Sequence, residues 1–142
     1  MPQIVIPDDE PAVLVPSKAY RKLDGYDVRA YATRPSTCDE LVERISDAEI
    51  VINIRSSCRF DSAVLEACPS LRMISIWGTG TDNVDLSAAR KRGVRVANTP
   101  AVAKDAVAEH TLMLMLAAGR RIIEVDRRVR NGEWPRAMIT QL

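Results

Sequence analysis

The sequence is short of the groups that hold metals and disulfides. Its three cysteines, Cys38, Cys58 and Cys68, form no Cys-x-x-Cys pair, and with the single histidine, His110, they make no metal-ligand spacing. Odd, scattered thiols suit a reducing compartment better than a disulfide framework. Charge of one sign is lacking too: 20 Lys and Arg stand against 19 Asp and Glu, a formal net charge of +1, and the basic residues are mixed with acids. That balance gives no electrostatic footprint for nucleic acid. The longest apolar run, Leu112 to Ala118, is far short of the ~20 residues that a membrane-spanning helix needs. Met1-Pro2-Gln3 leads directly into Ile4-Val5-Ile6, so no signal peptide is expected ahead of the fold. No internal repeat or low-complexity linker is present. A cytoplasmic protein without membrane or nucleic-acid partners is expected.

Hydrophobic residues make up 46% and charged residues 27% of the 142, enough for one packed domain or one domain with an appended element. Short β-rich runs alternate with helical patterns, the rhythm of a parallel sheet wrapped by helices. Residues 3–7, 26–31, 49–54, 72–77 and 94–97 read as strands, the second near an edge and the third buried on both faces. Between them, part of 17–23 reads as a helix stopped by Gly25. Thr37 with Glu40 makes a capping box for a helix through Ser46. Asp61 caps a short helix ending before Pro69, and Asp85 caps one that runs to Arg92 and stops at Gly93. Arg90, Lys91 and Arg92 suit the negative end of that helix's dipole. Five strands with right-handed crossovers give an α/β fold, a flavodoxin-like doubly wound parallel sheet in the order 2-1-3-4-5.

The last third differs. From Asp105 to about Asn131 one helical pattern continues without a break, closed by Gly132. Between Thr111 and Ala118 it is apolar all round, and from Arg120 to Arg130 it is mostly charged. A helix with no polar face must be covered on every side. Its own domain can cover one side, so a second surface is required.

Ligands of open parallel sheets bind at the carboxyl ends of the strands. That edge collects Asp8-Asp9, Arg55-Ser56-Ser57, Gly78-Thr79-Gly80-Thr81-Asp82 and Asn98-Thr99-Pro100. Gly78 and Gly80 allow the backbone to approach a ligand and to offer N–H groups to an anion. Arg55 can add a charge-assisted hydrogen bond to a carboxylate or phosphate. Taken singly, each has a bland alternative: a tight turn for the glycines, a surface ion pair for Arg55, a helix cap for Ser56 or Ser57. Glu109 and His110, at a helix start, fit capping or packing better than catalysis, and Met113 and Met115 fit a core or interface.

From Leu71 onward the sequence resembles the D-isomer-specific 2-hydroxyacid dehydrogenases, a family that includes D-3-phosphoglycerate dehydrogenase. The resemblance is carried by Gly78-Thr79-Gly80-Thr81-Asp82-Asn83-Val84-Asp85-Leu86, by Arg92-Gly93-Val94-Arg95-Val96-Ala97-Asn98-Thr99-Pro100, by Val107-Ala108-Glu109-His110-Thr111-Leu112 and by Val129-Arg130-Asn131-Gly132-Glu133-Trp134. Upstream, Ile54-Arg55-Ser56-Ser57 also fits, whereas residues 1–48 match only in their β/α rhythm. The resemblance implies a substrate-binding domain over residues 1–100 and, over 101–142, the start of a dinucleotide-binding domain. Arg55, Ser56 and Gly80 would then hold the substrate carboxylate, and Thr79 would lie near the nicotinamide of NAD. The helix around Thr111 to Ala118 would pack against its twin in a homodimer.

The same resemblance implies reversible hydride transfer between NAD and a small 2-hydroxy or 2-oxo acid, an oxidoreductase activity of the parent enzyme. The family's Gly-x-Gly-x-x-Gly and its catalytic arginine, glutamate and histidine lie beyond Leu142, and His110 does not match that histidine. The 142 residues alone are therefore expected to be inactive and to hold no catalytic residue. Ala103 stands where many members carry asparagine. Two other classes remain open. A phosphoacceptor receiver domain shares the strand order, yet Asn53-Ile54-Arg55 stands where it needs an aspartate ending strand three. A non-catalytic dimerisation or regulatory module of the same fold would bind no 2-hydroxy or 2-oxo acid.

Overall fold

The computed structural model describes residues 1–54 and 56–136. The chain divides into two compact units, Met1–Pro100 and Ala101–Leu142. The first is a five-stranded sheet in the order β2-β1-β3-β4-β5, parallel at every pairing. Its strands are β1 (Gln3–Ile6), β2 (Asp27–Ala30), β3 (Ile50–Asn53), β4 (Met73–Ile76) and β5 (Arg95–Ala97). The expected strand order is found, with β2 at an edge.

Side-chain caps start the helices. The carboxylate or hydroxyl of Thr37, Asp61 and Asp85 accepts from the amide three residues on, opening α1 (Cys38–Ile45), α2 (Ser62–Ala67) and α3 (Leu86–Lys91). Each bond satisfies an amide that the helix itself leaves orphaned. Glu40 folds back to accept from the Ser36 amide at 2.7 Å, one residue upstream of the usual capping-box partner. Residues 20–23 form a 3-10 turn rather than an α-helix. At the end of α3, Gly93 (φ +71°) donates to Arg90 O while Val94 donates to Ala89 O, a complete Schellman closure.

Helices α1, α2 and α3 cover one face of the sheet. Leu41, Ile45, Val64, Leu65 and Ala89 meet Val5, Val51 and Ile74 in one buried cluster around Phe60. The opposite face carries the β1–β2 crossover, whose Leu14 is buried. Cover there is thinner. β3 was expected to be buried on both faces, but Ile50 and Ile52 are only half-buried while Val51 and Asn53 are buried. The reason is that three helices lie over one face and a loop with a single 3-10 turn over the other.

The second unit departs from expectation. The single helix read over residues 105–131 is two helices, α4 (Lys104–Gly119) and α5 (Ile122–Arg130). Arg121 between them is left-handed (φ 50°, ψ 39°), and its amide donates to Ala118 O at 3.1 Å, which closes α4. Gly119 weakens the helix just before this point. Gly132 (φ +81°) ends α5 as expected, donating to Val129 O while Glu133 donates to Arg128 O. Leu112, Met113, Leu114, Met115 and Leu116 are all 51–60% exposed. Five successive residues about 100° apart cover the whole circumference of α4.

No described helix is long and apolar enough to cross a membrane. All three cysteines are free; Cys38 is exposed, Cys58 and Cys68 buried. Burial, and secondarily the Asp8 carboxylate, push the Cys58 thiol up to about 11, and burial raises Cys68 as well. Thiolate is the reacting species. A neutral-pH disulfide reagent is therefore expected to label Cys38 alone in the native chain and all three cysteines after denaturation. Rapid native labelling of Cys58 would contradict this packing.

Candidate functional site

The carboxyl ends of β3 and β4 open into a cavity of about 240 Å³. Asn53, Ser56, Gly78, Gly80, Asp82 and Asn83 are among its lining residues. Adjacent parallel strands bring these segments together: Asn53 is the register partner of Ile76, which also borders the cavity. Ser56 and Gly80, expected at one edge, both line this cavity. Arg55 lies outside the described residues, although Ile54 and Ser56, its neighbours in sequence, both line the cavity.

Thr79 is not part of that lining. It is exposed, its hydroxyl donates to Thr99 O at 3.3 Å, and its carbonyl accepts from Asn98 Nδ2 at 2.8 Å. Thr99 adds bonds from its amide and hydroxyl to Gly78 O, at 2.9 and 3.2 Å. The loop after β5 thus holds the turn after β4 in place.

Neither cavity glycine is required by the backbone. Gly78 and Gly80 do not have positive φ, unlike Gly25, Gly93 and Gly132. A Cβ at Gly78 would meet only Ile76 Cγ2, at 4.0 Å. At Gly80 it would meet Asp82 Oδ2 at 3.2 Å, the far end of a side chain that can turn away. Folding gives no reason for two glycines here, whereas close approach of a ligand to the backbone does.

Hydrogen bonds of Asn83, Phe60, Arg44 and the acidic pair Asp8-Asp9 order the segments around this edge. Asn83, buried, donates from Nδ2 to Cys58 O at 2.6 Å. Phe60 N donates to Asn83 O at 2.8 Å, and Asp85 N to Phe60 O at 2.9 Å. These bonds zip the loop after β3 to the loop after β4. Asp8, at the end of β1 and 1% exposed, accepts from Ser57 Oγ at 2.5 Å and from Glu10 N at 3.0 Å, with Arg34 Nε 3.5 Å away. Asp9 accepts from the amides of Val13, Leu14 and Val15 at 2.8–3.0 Å. The acidic pair therefore orders two loops. Arg44, buried on α1, donates to Pro7 O at 2.7 Å and to Thr33 O, pairs with Glu40, and lies over the Tyr31 ring at 4.5 Å. It ties the ends of β1 and β2 to α1.

Asn53 is the anomaly. It is 2% exposed, lines the cavity, and its carboxamide makes no hydrogen bond among the described residues. An unpaired buried amide costs roughly 1–3 kcal/mol, and native proteins rarely leave one unless a ligand or water completes it. The cavity thus offers an amide, a hydroxyl at Ser56 and glycine backbone, with the Asp82 carboxylate at its border. No group of three or more His, Cys, Asp or Glu able to hold a metal occurs among the described residues.

Residues 10–140 match the model of the D-isomer specific 2-hydroxyacid dehydrogenase family, catalytic domain. The chain is 40% identical over 100 residues to the glyoxylate reductase of Thermofilum pendens, covering 70% of this chain and 29% of that protein. It is 39% identical over 98 residues to the D-3-phosphoglycerate dehydrogenase of Archaeoglobus fulgidus, covering 69% and 18%. The solved TT0316 protein from Thermus thermophilus has a TM-score of 0.78 at 31% identity, over 100% of this chain and 45% of that one. The chain spans less than a third of the length of these two relatives in sequence. On the breadth of the family match and the agreement in fold, the chain belongs to the D-isomer specific 2-hydroxyacid dehydrogenase family.

Proposed function

We propose that residues 1–100 are the substrate-binding domain of an oxidoreductase that moves a hydride between NAD or NADP and a small D-2-hydroxy acid or its 2-oxo partner. The observation that carries this reading is the buried Asn53 carboxamide, unpaired among the described residues, beside two glycines that the fold does not require. Both features are explained by a small polar ligand seated against Ser56, Gly78 and Gly80. Arg55, by resemblance to the family, is assigned as the cation that binds the ligand's carboxylate.

The nicotinamide cofactor, when bound, supplies or accepts the hydride. The 142 residues contain no Gly-x-Gly-x-x-Gly, so they offer no cradle for its pyrophosphate. Thr79, on the outer side of the turn, is assigned to the nicotinamide end. The chain's own share of the chemistry is to hold and orient the acid. Residues 101–142 are assigned to the start of the dinucleotide-binding domain, and α4 to a homodimer interface. A cytoplasmic location fits this assignment. The rival reading, a non-catalytic module of the same fold, leaves the Asn53 carboxamide without a purpose.

Gly80→Val tests the assignment. The valine side chain enters the cavity without backbone strain, so the melting temperature should move little. Glyoxylate binding, measured by titration, should weaken by about tenfold or more, on the order of one lost charge-assisted hydrogen bond. Unchanged glyoxylate affinity in Gly80→Val would show that the turn does not meet the substrate.

A further inference from the structure

A second cavity, of about 440 Å³, lies at the opposite, amino edge of the sheet. It is larger than the carboxyl-edge cavity and is bordered by Arg72, Arg92 and Arg95, against one carboxylate, Glu49. The three guanidinium groups come from three places: the residue before β4, the end of α3 and the first residue of β5. Backbone bonds hold the bases of Arg72 and Arg95 side by side, with Arg72 N donating to Glu49 O at 2.8 Å and Arg95 N to Arg72 O at 2.9 Å.

These arginines are poorly satisfied. Arg72 approaches Glu49 only to 3.5 Å, and Arg92 Nη2 is 3.5 Å from Cys68 O. Both distances exceed the usual range for N–H···O bonds. Arg95 has no side-chain partner among the described residues. Arg29, which meets Asp47 at 2.9 Å, and Arg44, which is fully engaged, show the closer pairing that these three lack, while Arg34 stands as far from Asp8, 3.5 Å, as Arg72 does from Glu49. The dipole of α3 accounts for Arg90, Lys91 and the C-cap Arg92, but not for Arg72 and Arg95, which stand at strand starts. Two positive charges in excess around one concavity repel each other unless an anion joins them.

We infer that the amino-edge cavity is a binding site for an organic phosphate monoester, separate from the carboxyl-edge site. A phosphate monoester presents three free oxygens to three forks and carries twice the charge of a carboxylate. Its dianion matches the local charge excess. Ile50 and Met73, in register on one sheet face with Arg95, give the organic part an apolar floor. The volume lies at the lower end of the range for small-ligand pockets.

The test is calorimetric titration of the 142-residue chain with adenosine monophosphate and with inorganic phosphate at low salt. Adenosine monophosphate should bind one to one in the submillimolar range, and inorganic phosphate more weakly because it lacks an organic part. Arg72→Ala and Arg95→Gln should each weaken binding by about tenfold, the loss of one charge-assisted contact. Both side chains are exposed, and unchanged melting temperatures would show that the variants remain folded. Gly80→Val, at the far edge, should leave this affinity as it is, which separates failure here from failure of the substrate-site assignment. The inference is overturned if neither probe saturates by ~10 mM, well beyond the submillimolar range. It is equally overturned if the arginine variants bind as the parent chain does, or if Gly80→Val abolishes binding.

Discussion

Phe60→Ala is expected to destabilise the sheet unit by about 3–5 kcal/mol, the range for deleting a buried aromatic ring. Phe60 is 0% exposed and is among the largest fully buried side chains. It sits in the one cluster shared by α1, α2, α3 and the covered sheet face, so no single element can move in to refill the space. Tightly packed interiors collapse only partly around such a cavity. Its backbone pairs with the segment Asn83–Asp85 through two hydrogen bonds and a parallel bridge to Val84. Loosening there also frees the loops that frame the carboxyl-edge cavity. Most domains hold only about 5–15 kcal/mol in all, so this one change should consume a large share. Urea denaturation read by circular dichroism measures it. A midpoint shift worth under about 1 kcal/mol would mean that the Phe60 pocket is not the centre of the core.

Leu114→Glu is expected to turn a homodimer into a monomer. Leu112 to Leu116 are each at least half exposed and together encircle α4. Burying such a side chain is worth roughly 1.5–3 kcal/mol relative to leaving it wet, so several of them on one helix create a strong drive to association. Two-fold dimers are the commonest soluble oligomers, and a self-complementary helix face supplies one patch twice. A glutamate at position 114 would have to leave its charge in that apolar contact, which costs several kcal/mol unless paired. Light scattering over a dilution series separates the outcomes. A discrete dimer that Leu114→Glu or Leu116→Glu dissociates supports the interface. A monomer at high micromolar concentration in the unsubstituted chain would mean that something other than a second copy covers this face.

Much of the fold was legible because its signals are local. Thr37, Asp61 and Asp85 announce helix starts through bonds spanning three residues, and Gly93 and Gly132 announce helix ends through positive φ. The alternation of strand and helix then leaves few ways to order five parallel strands. The break between α4 and α5 escaped because its left-handed position is filled by Arg121, where glycine or asparagine is the readable signal. The half-covered face of β3 escaped for another reason: Ile50 and Ile52 look the same in sequence whether a helix or a loop lies above them.

At the candidate site, Ser56 and Gly80 could be paired from strand ends alone, since parallel order fixes which loops are neighbours. Asn53, Asn83 and the Asp8–Ser57 bond could not. They depend on contacts between residues 25 to 49 positions apart, or on the lack of any contact. Asp8-Asp9 is a case in point: an acidic pair at a strand end looks like chemistry, yet its carboxylates are occupied by Ser57 and by backbone amides.

The central claim is that the carboxyl-edge cavity receives the acid, and amide chemical shifts during a glyoxylate titration test it most directly. Isotope-labelled chain of 142 residues should show saturating shifts at Ser56, Gly78, Thr79 and Gly80, with the Asn53 side-chain amide moving as it gains a partner. Affinity should be weak, on the order of millimolar, as befits so small a ligand held by a few polar contacts. Asn53→Val should abolish those shifts while raising the melting temperature, because it removes an unpaired buried amide. Shifts confined to the amino edge, or none near Asn53 and Gly80 at saturating glyoxylate, would contradict the assignment.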